Sequence, residues 1–129
     1  MNRRLDFLKA MDIFHEMLST HVINILSKKW GSDWREEIKP YAFDRKFGSD
    51  LKFDDKGTPL WDDSTLIRIF TNPDFREDFG FRGPHYKNWA YILRDARNDA
   101  AHNRPITTDY LLAATFGMKT ISKLFHDKT

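Results

Sequence analysis

The chain has 129 residues, 40% of them hydrophobic and 15% aromatic, with 11 Phe and 4 Trp; a single domain spanning 1–129 with that much apolar surface has a core, which excludes a disordered chain. Lys and Arg number 21 against 19 Asp and Glu, a net charge of +2, so bulk charge does not mark a nucleic-acid binder and any anionic partner must be met by a local patch. No Cys is present, which excludes disulfides and thiolate metal sites; charges at Asp6, Lys9, Asp12 and Glu16 break any signal-peptide core, no stretch approaches a membrane span, and the expected compartment is the cytoplasm.

From Arg3 to Trp30 the spacing predicts one long helix. Leu5, Leu8, Ile13, Met17, Val22, Ile25 and Leu26 recur at helical intervals, and Gly31 is a natural C-terminal stop. Regularity is lost from Ser32 to Trp61, where Pro40, Gly48, Gly57 and Pro59 punctuate the chain. Trp34 and Tyr41-Ala42-Phe43 suggest anchorage of this excursion to the core. Leu51-Lys52-Phe53, Asp54–Gly57 and Thr58–Trp61 read as a small hairpin around a Gly-containing turn.

Asp62-Asp63-Ser64 supplies N-cap residues for a second helix carrying Leu66, Ile67, Ile69 and Phe70, which ends near Asn72-Pro73. Asp74–Phe79 reads as a short helical turn closed by Gly80. Gly83-Pro84 opens a third helix through Trp89, Leu93, Ala96 and Ala100, stopping at His102–Arg104 before Pro105. Thr107-Thr108-Asp109 caps a last helix with Leu111, Leu112, Ala114, Thr115, Met118, Ile121, Leu124 and Phe125. The expected fold is all-α, an antiparallel four-helix bundle with a long loop or small hairpin between helices 1 and 2.

The third helix carries the candidate chemistry. Residues turn about 100° each on an ideal helix, so Trp89, Leu93, Ala96 and Ala100 share a core stripe while Arg94, Asn98 and His102 share a stripe on the far side. Arg97 lies at the flank. An arginine can hold a phosphate with a planar fork of donors, and a histidine can move a proton near neutral pH. Arg97 and His102 stand about 140° apart on a straight helix by the same arithmetic, so either the helix ends before His102 or a second chain completes the site. Ala96, Ala100 and Ala101 are small enough to admit a second copy of the helix, or they serve helix propensity alone.

Other constellations fall short. His15-Glu16 begins like a zinc-protease helix, but Ser19 stands where the second His is required; the five His, at 15, 21, 85, 102 and 126, show no metal-ligand spacing. No Gly-rich phosphate loop and no nucleophile elbow occur, so neither metal nor cofactor is expected.

Arg97, then Asn98-Asp99-Ala100-Ala101, then His102 resembles the signature of HEPN domains (higher eukaryote and prokaryote nucleotide-binding): Arg, four to six residues of which the first is usually polar, then His. The context is similar to one branch, found in a eukaryotic nuclear RNA-surveillance endoribonuclease and in bacterial defence proteins. It includes Gly31-Ser32-Asp33-Trp34, Leu60-Trp61-Asp62-Asp63 before Leu66–Phe70, Phe75, Phe79, Trp89 and Arg94–His102.

The resemblance implies an all-α bundle that dimerises through the motif helix around a composite RNA-cleavage site. It implies Arg97 and His102 as the catalytic pair and Asn98 as the polar residue beside them. Arg94 and Arg104, outside the motif, are nearby cations for RNA. The implied activity is a metal-independent endoribonuclease, toxin-like, in phage defence or RNA processing. The alternatives are a non-catalytic module for RNA binding or protein–protein interaction, and a regulatory partner of a toxin. The expected partners are RNA, a second copy of the chain and a protein encoded nearby.

Overall fold

The computed structural model describes residues 3–43, 48–79, 85–101 and 108–128. Its elements are α1 (Arg3–Trp30), a 3₁₀ turn (Gly31–Asp33), α2 (Trp34–Ala42), α3 (Asp63–Phe70), a 3₁₀ turn (Pro73–Phe75), α4 (His85–Ala101) and α5 (Thr108–Lys128). The fold is all-helical, with α4 and α5 packed along each other and α1 against both; α3 contacts α1, α2 and α4.

Several termini form for the reasons legible in the sequence. Gly31 has φ +62°, the left-handed conformation that ends α1. The Asp62 side chain accepts from the Thr65 backbone N–H at 2.8 Å and caps α3. Asn72 caps the following 3₁₀ turn by accepting from Asp74 N–H, with Pro73 in its first position. The stops and starts expected at Gly80, Gly83-Pro84, Thr107 and Asn103–Pro105 lie outside the described residues.

Two expectations are corrected. A helix, α2, occupies part of the stretch read as irregular. Its buried stripe is Trp34, Ile38 and Ala42, one residue per turn, Glu36 and Glu37 suit the positive end of its dipole, and Glu36 pairs with Lys39 at 2.9 Å. Pro40 lies in the last turn of α2 and, lacking an N–H, forfeits the one backbone bond it would have made to the carbonyl of Glu36. The second correction concerns α1, whose buried stripe is Phe7, Met11, Phe14, Leu18, Val22 and Leu26, whereas Leu5, Ile13 and Met17 are exposed. Apolar residues occur on most sides of this helix, and the stripe containing both Phe residues is the one that turns inward. On α5, Ala114 and Ile121 are buried and Met118 packs against the core, but Leu112 is exposed; the side chains of Trp89, Leu111, Leu124 and Phe125 lie outside the described residues.

The expected hairpin is present as one antiparallel bridge, Phe53 with Pro59, bounded by Asp54 N–H to Thr58 O and Leu60 N–H to Lys52 O. It is tied down at three points. Arg35 Nε donates to Gly57 O at 2.7 Å, Trp34 meets Phe53 edge-on, and the buried Trp61 indole donates to Ser19 Oγ at 2.9 Å. Gly57 has φ +78°, and a Cβ there would lie 2.9 Å from the Arg35 guanidinium, so this turn requires glycine.

Neighbours on α1 test the corrected stripe. Phe14→Ala is expected to cost about 3–5 kcal/mol by leaving a cavity, whereas Ile13→Ala, at a side chain 64% exposed, changes stability by no more than about 0.5 kcal/mol. Urea unfolding of the two variants measures both.

Candidate active site

Leu93, Ala96 and Ala100 of α4 face the core and are buried, as the spacing predicts. The small alanines therefore serve packing inside the chain. A second copy would have to meet the other side of the helix, where Asp95 and Asn98 are exposed.

Arg97 projects from the flank of α4 toward α1 and α3. Its Nε lies 3.0 Å from Asp63 Oδ2, and its Nη2 lies 4.0 Å from Asp12 Oδ1. The Nε–H does not point along the line to the Asp63 oxygen, so this is a charge contact and not an aligned hydrogen bond. The side chain keeps 27% of its surface exposed. Arg94 is occupied along its own helix: the guanidinium sits 4.9 Å from the centre of the Tyr91 ring and 3.4 Å from Asp95 Oδ1. Asn98 is exposed beside Arg97. His102 and Arg104 lie outside the described residues; α4 is helical through Ala101, the residue before His102.

The structure adds a residue that the sequence reading set aside. His15 Nδ1 is 2.6 Å from Asp63 Oδ1, so the two oxygens of one carboxylate serve an imidazole from α1 and a guanidinium from α4. Asp63 is the first residue of α3, where unpaired backbone N–H groups favour a negative charge. Positions 15 and 63 are far apart in the chain, and nothing local to either marks the pair. The available signal was the place of His15 beside Phe14, at the edge of the α1 core stripe, which obliges a polar ring to find a partner.

His15 titrates above the ordinary imidazole value. The hydrogen bond to Asp63 is the main cause; burial opposes it, and the charges of Asp63, Glu16 and Asp12 add to it. Among the described residues, no group of three or more His, Asp or Glu side chains is arranged to hold a metal ion, and no helix is long and apolar enough to cross a membrane.

A family model described as Swt1-like HEPN matches residues 9–125. The match takes in Asp12, His15, Asp63, Arg97 and His102. No curated protein and no solved structure shows a significant match.

A raised folded pKa fixes the sign of the pH dependence. The His15–Asp63 pair contributes its full stabilisation below the unfolded imidazole value of 6.5, and that contribution is lost as the pH rises through the higher folded value. The difference in urea midpoint between wild type and His15→Gln should therefore shrink as the pH rises above 6.5. In an Asp63→Asn background the same difference should depend much less on pH.

Proposed function

Because the chain belongs to the Swt1-like HEPN family, we propose that it is a metal-independent endoribonuclease whose site is built on Arg97, Asn98 and His102. The observation that carries this reading is the family match over the whole Arg97–His102 motif, together with the placement of Arg97. It is anchored off the core stripe, at a junction of three helices, with part of its surface open.

In the reaction, His102 takes or gives a proton at the 2′-hydroxyl or the leaving oxygen. The Arg97 guanidinium stabilises the charge that builds on the phosphoryl oxygens. The neighbouring 2′-oxygen is the nucleophile, so the product is a 2′,3′-cyclic phosphate. Asn98 offers an amide beside Arg97, and Arg94 and Arg104 supply cations for flanking phosphates. The site is completed by a second copy of the chain, which packs on the motif helix through the face of Asp95 and Asn98 and brings two Arg–His pairs to one cleft around a two-fold axis.

Two observations favour a second reading, a non-catalytic module that binds RNA or a partner protein. Carboxylates of Asp63 and Asp12 already stand beside Arg97, and the net charge of the chain is only +2.

Incubation with total RNA in EDTA separates the two. Cleavage should proceed in EDTA, show an inflection in the imidazole range, and stop when the nucleotide at the cut is 2′-deoxy. Arg97→Ala should lower the rate at least about 100-fold by removing a charge-stabilising donor, and His102→Ala about as much by removing a proton carrier. Circular dichroism should show both variants folded. A need for added magnesium, or cutting of the deoxy substrate, contradicts the mechanism; salt-sensitive binding without cleavage selects the non-catalytic module.

Light scattering should give twice the chain mass at tens of micromolar. A monomer at that concentration overturns the composite site.

A further inference from the structure

Arg97, the residue proposed above to meet a phosphodiester, already has the carboxylates of Asp63 and Asp12 beside it. An anion reaches it only in competition with them. We propose that His15 and Asp63 are a positioning pair that sets how readily Arg97 takes up a phosphodiester. With His15 charged, Asp63 is neutralised from its other side and Arg97 is left to the nucleic acid; with His15 neutral, Asp63 keeps it. This coupling rests on the phosphate role of Arg97, and it operates equally in a nuclease and in a non-catalytic RNA-binding module.

The geometry makes the two cations rivals for one negative charge. His15 Nδ1 lies 2.6 Å from Asp63 Oδ1, and Arg97 Nε lies 3.0 Å from Oδ2 of the same carboxylate. An ionised carboxylate can only accept, so Nδ1 carries its proton in both charge states of the ring, and Nε2 is the nitrogen that titrates. Gaining that proton adds a positive charge without disturbing the hydrogen bond. Arg97 is held loosely enough to respond. Its Nε is buried without an aligned acceptor, its Nη2 is 4.0 Å from Asp12 Oδ1, and 27% of its side-chain surface is open. His15 need not touch the nucleic acid, because its charge acts through Asp63.

Among the described residues, the charged groups facing His15 are Asp12 and Glu16 on α1 and Asp63 on α3, with Arg97 of α4 on the far oxygen of Asp63. With the ring neutral, carboxylates outnumber the guanidinium in this cluster, and the local field disfavours a further anion. Protonation of Nε2 offsets one of those charges. The hydrogen bond to Asp63 raises the titration of His15 above the ordinary imidazole value, which moves the exchange between the two states toward neutral pH. The side chains of His15 and Asp63 are only 22% and 19% exposed, so salt screens their charges less than it would a surface pair. The coupling is reciprocal: whatever factor a charged His15 adds to nucleic-acid affinity, bound nucleic acid adds to the proton affinity of His15.

The test uses a 2′-O-methyl oligouridylate, which lacks the hydroxyl needed for cleavage and keeps one charge per phosphodiester as the pH is varied. At constant salt, wild type should bind it about 5-fold more tightly at pH 6.5 than above the folded titration point of His15. His15→Gln, which keeps a polar group beside Asp63 without a titrating ring, should lose most of that difference. Asp63→Asn should lose it too, and the other histidines stay in place in both variants. The ring C–H resonance of His15, identified by its absence in His15→Gln, should titrate at higher pH in wild type with the oligonucleotide bound than without it. In Arg97→Ala the oligonucleotide should leave that titration unmoved. The coupling is overturned if the pH dependence of binding survives in His15→Gln or in Asp63→Asn. It is equally overturned if the wild-type resonance titrates at the same pH with and without oligonucleotide, a measurement that needs no variant to bind. If Arg97→Ala binds as wild type does, the phosphate role of Arg97 fails and the coupling with it. Intact pH-dependent binding in a protein that cleaves no RNA supports the coupling and overturns only the endoribonuclease reading.

Discussion

Asp63 carries one negative charge and two oxygens, and three helices meet at it. Oδ1 faces an imidazole from α1, and Oδ2 faces a guanidinium from α4. Arg97 also stands 4.0 Å from Asp12 of α1, so α1 and α4 meet near the motif both directly and through a residue that belongs to α3. The carboxylate keeps 19% of its side-chain surface exposed, which places the cluster between two limits. In full solvent such pairs are worth little. Fully buried, the desolvation cost would rival the attraction. At the edge of the core the charges are ordered without being locked away, which is the condition a reactive group requires.

How much of this was legible depends on the range over which each feature is determined. Caps and stops are local: Asp62 before α3 and Gly31 after α1 are visible from a few residues, and both form. The Leu93, Ala96 and Ala100 stripe is also local, because α4 has one apolar side and a clearly polar opposite. The inward face of α1 was not legible in the same way, since Leu5, Ile13 and Met17 compete at helical spacing with Phe7, Met11 and Phe14, and only the packing partners choose between them. α2 was hidden for a different reason. Three buried residues and a proline in its last turn carry a weak periodic signal, and its stability comes from tertiary contacts more than from propensity.

The candidate site divides along the same line. Arg97, Asn98 and His102 form a sequence-local motif and could be named from the chain alone. His15 and Asp63 could not be joined, because their proximity is a property of how α1 and α3 cross. His15 was weighed in the sequence only as the start of a metal-binding motif, and its pairing with Asp63 is what the packing of α1 against α3 adds. Near-neutral overall charge likewise hides an arrangement in which opposite charges are gathered at one helical junction.

The tether at Trp61 bears on how that junction is held. Its indole is buried on Ser19 of α1, and only Asp62, the cap residue, separates it from Asp63. The segment before it is fastened through Arg35 to Gly57 and through Trp34 to Phe53. Such an appendage, secured by a few point contacts over the bundle, is the kind of unit that opens separately from the core in native-state hydrogen exchange. Its free energy of opening is thereby coupled to the charge cluster: whatever loosens the hairpin frees the entry into α3 and lets the shared carboxylate drift from both of its cations.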